Sequence, residues 1–331
     1  MDFDHQTKLK TAESLLTALS SVSDHSRSTA LSSLRLLSKT DPSFRPIFSS
    51  LHGGAALSYL SDSLFSTSPL TQDDAAAALL NLSISSRSSL ISSPGLLDAL
   101  SHALSLHRGE YSPAAVQSIA ATVYSLSLDP SHRATIGSKR DLVYFLVDIV
   151  SYSNSPSRSL KDAVKALFGL SLHPPNRQTI LSFDALPALF GRVVHDRRVG
   201  LVEDVTAVVA QLAACDAAPA AFGDVRGIRV LVDLIDLGEN VTVRVRENAV
   251  SALLKLVEFG GEKVAEEIRE VGLGLIFNGL GEVVDCGSDK GKLRAQALMN
   301  VLEMGMSSTI NLEHNEGDFG SGPLSESSRS Y

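Results

Sequence analysis

A chain of 331 residues with a formal net charge of −8 lacks the basic surface that a general nucleic-acid binder needs. Hydrophobic residues make up 44%, enough for a packed fold, yet there is no apolar run of about 18 residues that could cross a membrane. The two cysteines, Cys215 and Cys286, match neither a zinc pattern nor a disulfide framework, and Met1-Asp-Phe-Asp-His5 lacks the apolar core of a signal peptide, which together fit the cytoplasm or the nucleus.

In chain order, the first expected element is an apolar helix through Leu9, Leu15, Leu16 and Leu19, read as a capping helix within residues 1–26. A phrase then begins that recurs to the end of the chain. It is a small residue, two apolar or small residues three and four positions on, and a closing leucine. It reads Ala30-Leu-Ser-Ser-Leu-Arg-Leu-Leu37, Ala75-Ala-Ala-Ala-Leu-Leu-Asn-Leu82, Ile119-Ala-Ala-Thr-Val-Tyr-Ser-Leu126 and Ala163-Val-Lys-Ala-Leu-Phe-Gly-Leu170. It continues as Val205-Thr-Ala-Val-Val-Ala-Gln-Leu212, Ala249-Val-Ser-Ala-Leu-Leu-Lys-Leu256 and Ala295-Gln-Ala-Leu-Met-Asn-Val-Leu302. Successive closing leucines lie 45, 44, 44, 42, 44 and 46 residues apart. A helical period in the forties predicts a solenoid, in which each unit buries its face against its neighbours.

Punctuation between the phrases is equally regular. Asp41-Pro42, Asp129-Pro130 and His173-Pro174-Pro175 place proline just inside a helix start, where its missing N–H costs nothing. A basic and then an aliphatic residue follow, as in Arg133-Ala-Thr-Ile136 and Arg177-Gln-Thr-Ile180. Next comes a glycine suited to a sharp turn, at Gly54, Gly95, Gly227 and Gly272, with Asp184 in its place in the fourth copy. Thr71-Gln-Asp-Asp74 and Ser159-Leu-Lys-Asp162 fit capping boxes for the long helix that carries the phrase, and Ser112-Pro113 serves the third copy. Residues 306–331, rich in Ser, Gly and acidic residues, predict a disordered tail.

Each unit is thus a short, a medium and a long helix. This pattern resembles the armadillo repeat, with its N-R-x-x-I first helix, glycine-led second helix and Ala-x-x-A-L-x-N-L third helix. The resemblance covers about residues 27–305 and implies an all-α, right-handed armadillo solenoid. It has six full repeats, at about 40–85, 86–129, 130–173, 174–215, 216–259 and 260–305, after a partial one. Leu79-Leu-Asn-Leu-Ser83, Tyr124-Ser-Leu-Ser127 and Phe168-Gly-Leu-Ser171, with Asn176-Arg177, resemble the armadillo region of plant U-box proteins. That resemblance implies a role in choosing substrates for ubiquitin ligation. Such proteins carry a conjugating-enzyme docking domain before the repeats; here the first long helix is expected near Thr29, so the chain reads as lacking a U-box.

No constellation of catalytic chemistry stands out. The nine histidines fall mostly in predicted turns and have no neighbours at metal-ligand spacing. Gly272-Leu-Gly-Leu-Ile-Phe-Asn-Gly-Leu-Gly281 has no strand before it, and Gly287-Ser-Asp-Lys-Gly-Lys292 is followed by Leu293 where a phosphate-binding loop needs Ser or Thr. The sequence therefore nominates no catalytic residue, no cofactor and no metal.

What remains is the face of the long helices. The positions one, five and eight before each closing leucine are expected on one exposed stripe lining a concave groove. Asn81, Ser125, Lys165 and Gln211 fall on it, and Arg244, Lys255, Lys290 and Arg294 gather towards its C-terminal end. Only Asn81 matches the asparagine row of importin-like members, and the absence of tryptophan speaks against nuclear-signal binding. The expected partner is a protein or peptide, with an acidic or phosphorylated segment on the basic end. The chain is expected to be a monomer that binds neither nucleic acid nor membrane.

Overall fold

The structure, a computed structural model, describes residues 3–109, 112–196, 198–236 and 241–316, with residues 305–316 described by backbone alone. Every regular element among the described residues is helical. Helices α1 (Phe3–Leu19) and α2 (Asp24–Thr40) form the partial repeat. Repeat one is α3 (Phe44–Ser50), α4 (Ala55–Ser63) and α5 (Pro69–Ser83), and repeat two is α6 (Arg87–Ser92), α7 (Leu96–Ser105) and α8 (Pro113–Ser127). Repeat three is α9 (Arg133–Ser138), α10 (Arg140–Ser151) and α11 (Ser157–Ser171), and repeat four is α12 (Pro174–Leu181), α13 (Ala185–His195) and α14 (Val199–Leu212). Repeat five is α15 (Ala218–Asp224), α16 (Gly227–Asp236) and α17 (Val243–Gly260). In repeat six the first two helices run together as α18 (Glu262–Cys286), broken by non-helical backbone at Gly272, and the long one is α19 (Asp289–Glu316). The backbone of α19 continues to Glu316, into the segment expected to be a disordered tail, where no proline or glycine after Gly305 interrupts it. Residues 317–331 of that segment lie outside the described residues.

Contacts divide the chain into unit 1, residues 1–227, and unit 2, residues 228–331. In unit 1 the long helices pack in series, α2 on α5, α5 on α8, α8 on α11 and α11 on α14. Their closing leucines Leu82, Leu126, Leu170 and Leu212 are fully buried, whereas Leu37 at the N-terminal end is only half-buried. In unit 2, α17 packs on α19 and Leu256 and Leu302 are fully buried. Each such leucine contributes about 1.5–3 kcal/mol.

The long helices start earlier than the capping boxes suggest. Ser68 caps α5, accepting the Thr71 N–H at 3.4 Å, with Pro69 at the first helical position. Asp74 instead accepts from Arg35 Nη1 at 2.6 Å and from the Ser32 hydroxyl, tying α5 to α2. Ser159 likewise lies inside α11, where its hydroxyl donates to Pro113 O at 3.4 Å across to α8. Proline fixed the start in both places, and the polar residue behind it became an inter-repeat contact.

In repeats one, three and four the first helix closes the end of the preceding long helix, whose last carbonyls have no intrahelical donor. Arg45 Nε donates to Ser38 O, Arg133 Nε to Ser127 O and Arg177 Nε to Ser171 O, each at 2.8 Å. Asn176 Nδ2 adds bonds to Leu170 O at 3.0 Å and to Arg133 O at 2.9 Å, filling the space left by Gly137, where a Cβ would overlap the amide. In repeat two the pattern changes: Arg87 Nε reaches forward to Ser125 O at 2.8 Å.

The turns from first to second helix use left-handed backbone, at Gly54 (φ 87°), Gly95 (φ 73°) and Asp184 (φ 55°). In repeat five the residue with positive φ is Arg226 (φ 53°), not the glycine beside it. Gly227 is needed for room, since a Cβ there would sit 2.9 Å from the Phe190 ring and 3.0 Å from the Phe222 ring.

In unit 1 the residue after each closing leucine is small and buried: Ser38, Ser83, Ser127, Ser171 and Ala213 are all fully inaccessible. The next long helix presses the residue before its own closing leucine against this spot. Asn81 Nδ2 meets the Ser38 hydroxyl at 3.1 Å, the Ser125 hydroxyl donates to Ser83 O at 3.1 Å, and a Cβ on Gly169 would overlap the Ser127 hydroxyl. Gly169→Ala should therefore destabilise by about 1–3 kcal/mol, the usual cost of overpacking. Adding Ser127→Gly should recover part of the loss; chemical denaturation of both variants checks this, and an additive loss would count against the seam.

One buried histidine makes stability depend on pH. His107, in the loop after α7, has Nδ1 2.9 Å from Leu104 O and Nε2 3.2 Å from Asp148 Oδ2 on α10, with its side chain 3% exposed. Arg108 also pairs with Asp148 and lies over the Tyr152 ring, 5.2 Å from its centroid. Burial outweighs the two acceptors and holds the imidazole pKa below its ordinary value. The unfolded chain then binds the proton more readily, so stability is complete above about pH 6.5 and falls as the medium becomes more acidic. His107→Gln should flatten this fall between neutral and mildly acidic pH, as followed by urea midpoints.

Candidate interaction surface

The residues nominated from the sequence separate into two groups. Asn81, Ser125, Lys165 and Gln211 belong to unit 1, and Arg244, Lys255, Lys290 and Arg294 to unit 2. Within unit 1, the row one before the closing leucines is a packing seam and not the open stripe expected. Ser125 is 7% exposed and spends its hydroxyl on Ser83, while Asn81 is half-buried and spends its amide on α2. Gln211 is half-buried too, with Oε1 accepting from Arg177 Nη2 at 3.4 Å. Asn81 and Ser125 of this row face the preceding long helix, which the periodicity of one helix does not record.

The open face lies along the row five before the closing leucines. Ala77, Ala121, Lys165 and Ala207 occupy it, each partly exposed. The Lys165 ammonium sits 5.9 Å from the centre of the Tyr124 ring. One turn towards the helix start, Asp162 has its pKa raised by burial, an effect opposed by its hydrogen bond to Gln117 and by the charge of Lys165. Towards the helix ends the face turns apolar. Leu80, Tyr124 and Phe168 are partly exposed, and Ile84 and Leu128 are 48% and 47% exposed. These residues were not nominated. Their signal was present in the sequence: an aliphatic residue two positions past the closing leucine, at Ile84, Leu128 and Leu172, where an amphipathic helix turns polar.

In unit 2, Arg244 and Lys290 occupy matching positions twelve residues before the closing leucines of α17 and α19, which pack together. Lys290 and Arg294 are exposed, one turn apart on α19. The remaining charges are partly matched within the protein. Lys255 pairs with Glu258, Arg246 with Glu282, and Glu247 accepts from the Ser288 backbone N–H just before α19.

Histidine plays structural roles here. His102 stacks on Phe65 with centroids 4.6 Å apart, and buried His132 lies 3.3 Å from Leu126 O. Among the described residues no group of three His, Cys, Asp or Glu could hold a metal, and no helix is long and apolar enough to cross a membrane.

No protein-family model matches the chain. Sequence similarity runs to plant proteins. U-box domain-containing protein 16 of Arabidopsis thaliana is 25% identical over 272 residues, 81% of this chain and 38% of that protein. U-box domain-containing protein 17 of Arabidopsis thaliana is 33% identical over 116 residues, 35% of this chain and 15% of that protein. U-box domain-containing protein 4 of Oryza sativa subsp. japonica is 27% identical over 187 residues, 51% of this chain and 25% of that protein. The chain thus spans well under half the length of these relatives. Among solved structures, an engineered protein aligns with a TM-score of 0.73 at 19% identity, covering 88% of this chain and 68% of its own. A designed armadillo repeat protein aligns with a TM-score of 0.50 at 16% identity, covering 87% of this chain and 98% of its own. The fold is thus an all-α, armadillo-type solenoid, and the sequence is similar to plant U-box proteins.

Proposed function

We propose that this protein is an interaction scaffold that receives an extended partner segment across the open face of its long helices. The observation that carries this reading is the row of small residues, Ala77, Ala121 and Ala207, bordered by the half-exposed Leu80, Tyr124 and Phe168. Neighbouring helices pack about 8–10 Å apart. An extended chain advances about 3.3 Å per residue, so about three partner residues cross each long helix. Backbone contact at the alanines supplies affinity, and apolar side chains of the partner settle beside Tyr124 and Phe168. In unit 2 the exposed Lys290 and Arg294 suit an acidic or phosphorylated segment.

A second reading follows from the similarity to U-box proteins. In it the repeats choose the protein to be ubiquitinated and a ligase module supplies the transfer. Incubating the chain with E1, a panel of E2 enzymes and ubiquitin, with and without a candidate ligase partner, separates the two readings. Conjugation only with the ligase present supports the second.

The scaffold reading is tested by proximity labelling in plant cells with the wild type, Ala121→Arg and Lys290→Glu/Arg294→Glu. Ala121→Arg puts a long side chain on the open face and should remove most specific partners while the circular dichroism stays helical. The double reversal should remove only partners whose binding weakens with salt. An unchanged partner set for both variants would refute the reading.

A further inference from the structure

The twelve prolines of the chain include four that follow serine, and three of these recur at one place in successive repeats. Ser68-Pro69, Ser112-Pro113 and Ser155-Pro156 lead into the long helices α5, α8 and α11, 44 and 43 residues apart. The fourth, Ser93-Pro94, ends α6 and caps no long helix. We propose that these three serines form a repeated phosphorylation site for a proline-directed protein kinase. In the reaction the serine Oγ bonds to the γ-phosphorus of a nucleoside triphosphate, the bond from that phosphorus to the β–γ bridging oxygen breaks, a base of the kinase takes the hydroxyl proton, and the nucleoside diphosphate leaves.

Three observations beyond the dipeptide support the assignment. The first is access: Ser68 is exposed, and Ser112 and Ser155 are half-exposed, on the connections between the second and third helices. The second is backbone shape. Ser68 (φ −84°, ψ 117°) and Ser112 (φ −60°, ψ 123°) are extended, and residues 66–68 carry no helix, so the acceptor is presented without unfolding the helix behind it. The third is what the product meets. The Ser68 hydroxyl already accepts the Thr71 N–H and the Ser112 hydroxyl the Ala114 N–H. A phosphate there adds roughly −1.5 to −2 charges at the positive end of a 15-residue helix, where anions are favoured. Ser155 differs. It precedes the cap, and its hydroxyl donates to Ile149 O at 2.6 Å, a bond that modification must break. The sites are therefore graded, Ser68 and Ser112 ahead of Ser155. Since α5, α8 and α11 pack in series, the modified chain carries dianions at the starts of three successive long helices.

The test uses the folded full chain, a proline-directed kinase and ATP, with peptide mapping by mass spectrometry over time. Near-stoichiometric phosphate on Ser68 and Ser112, at least tenfold slower on Ser155, is expected. The Ser68→Ala/Ser112→Ala/Ser155→Ala variant should lose that incorporation while keeping its helical spectrum. The phosphorylated chain should melt no lower than the unmodified one. Incorporation at Ser68 and Ser112 only after heat unfolding would overturn the proposal and leave the Ser-Pro pairs as helix starts alone. So would a melting point several degrees lower on modification, because it would show that the helix ends reject the charge.

Discussion

A helix that ends against a neighbour must find donors for its last carbonyls, and the rest of this solenoid is arranged around that need. Water cannot serve where the next repeat covers the helix end. At the ends of α2, α8 and α11 a donor comes from the next repeat itself, supplied by its first short helix. Arg45, Arg133 and Arg177 each reach back to a carbonyl one residue past a closing leucine, and Asn176 doubles the bond. An unmet buried carbonyl would cost about 1–3 kcal/mol. The same bond ties each of these short helices to the long helix before it.

The seam between the long helices of unit 1 is built of small or polar residues, from Asn81 against Ser38 to Gly169 against Ser127. A seam of small residues leaves little for a partner to hold. The open face is displaced one row away, onto alanines at the centre and a band of half-exposed large side chains at the helix ends. The packing seam and the open face are therefore adjacent rows of the same helices.

Much of this was legible in the sequence because leucine and alanine recur on a helical stripe with a steady period. The three-helix unit and the order of helices followed from proline, glycine and that stripe. Less legible were positions where one residue type answers two needs. Gly227 looked like a turn glycine, yet Arg226 bends the backbone and Gly227 makes room for two phenylalanine rings. Asp74 looked like half of a capping box, yet it bonds across to Arg35 and Ser32. Of the rows expected to be open, the one five before the closing leucines is partly exposed, while the one just before them packs on the preceding repeat, which the periodicity of a single helix does not record. The exposed Ile84 and Leu128 passed unremarked because an apolar residue beside a core leucine reads as more core.

The ties between repeats are asymmetric in kind. At the helix ends the donor is a particular side chain, Arg45, Arg133, Arg177 or Asn176, but the acceptor is a backbone carbonyl, which every residue provides. Only one half of the bond is written in the amino-acid identities. The Arg35–Asp74 pair is different, since a change in either member strands the other. Donor and acceptor positions at the helix ends have no reason to vary together, and substitutions at the receiving end are constrained by size alone. At the joints where Arg45, Arg133 and Arg177 make this bond, the repeat before can be exchanged without bringing a matching side chain of its own. Growth and shortening of such a chain by whole repeats then needs no compensating change in the repeat that comes before.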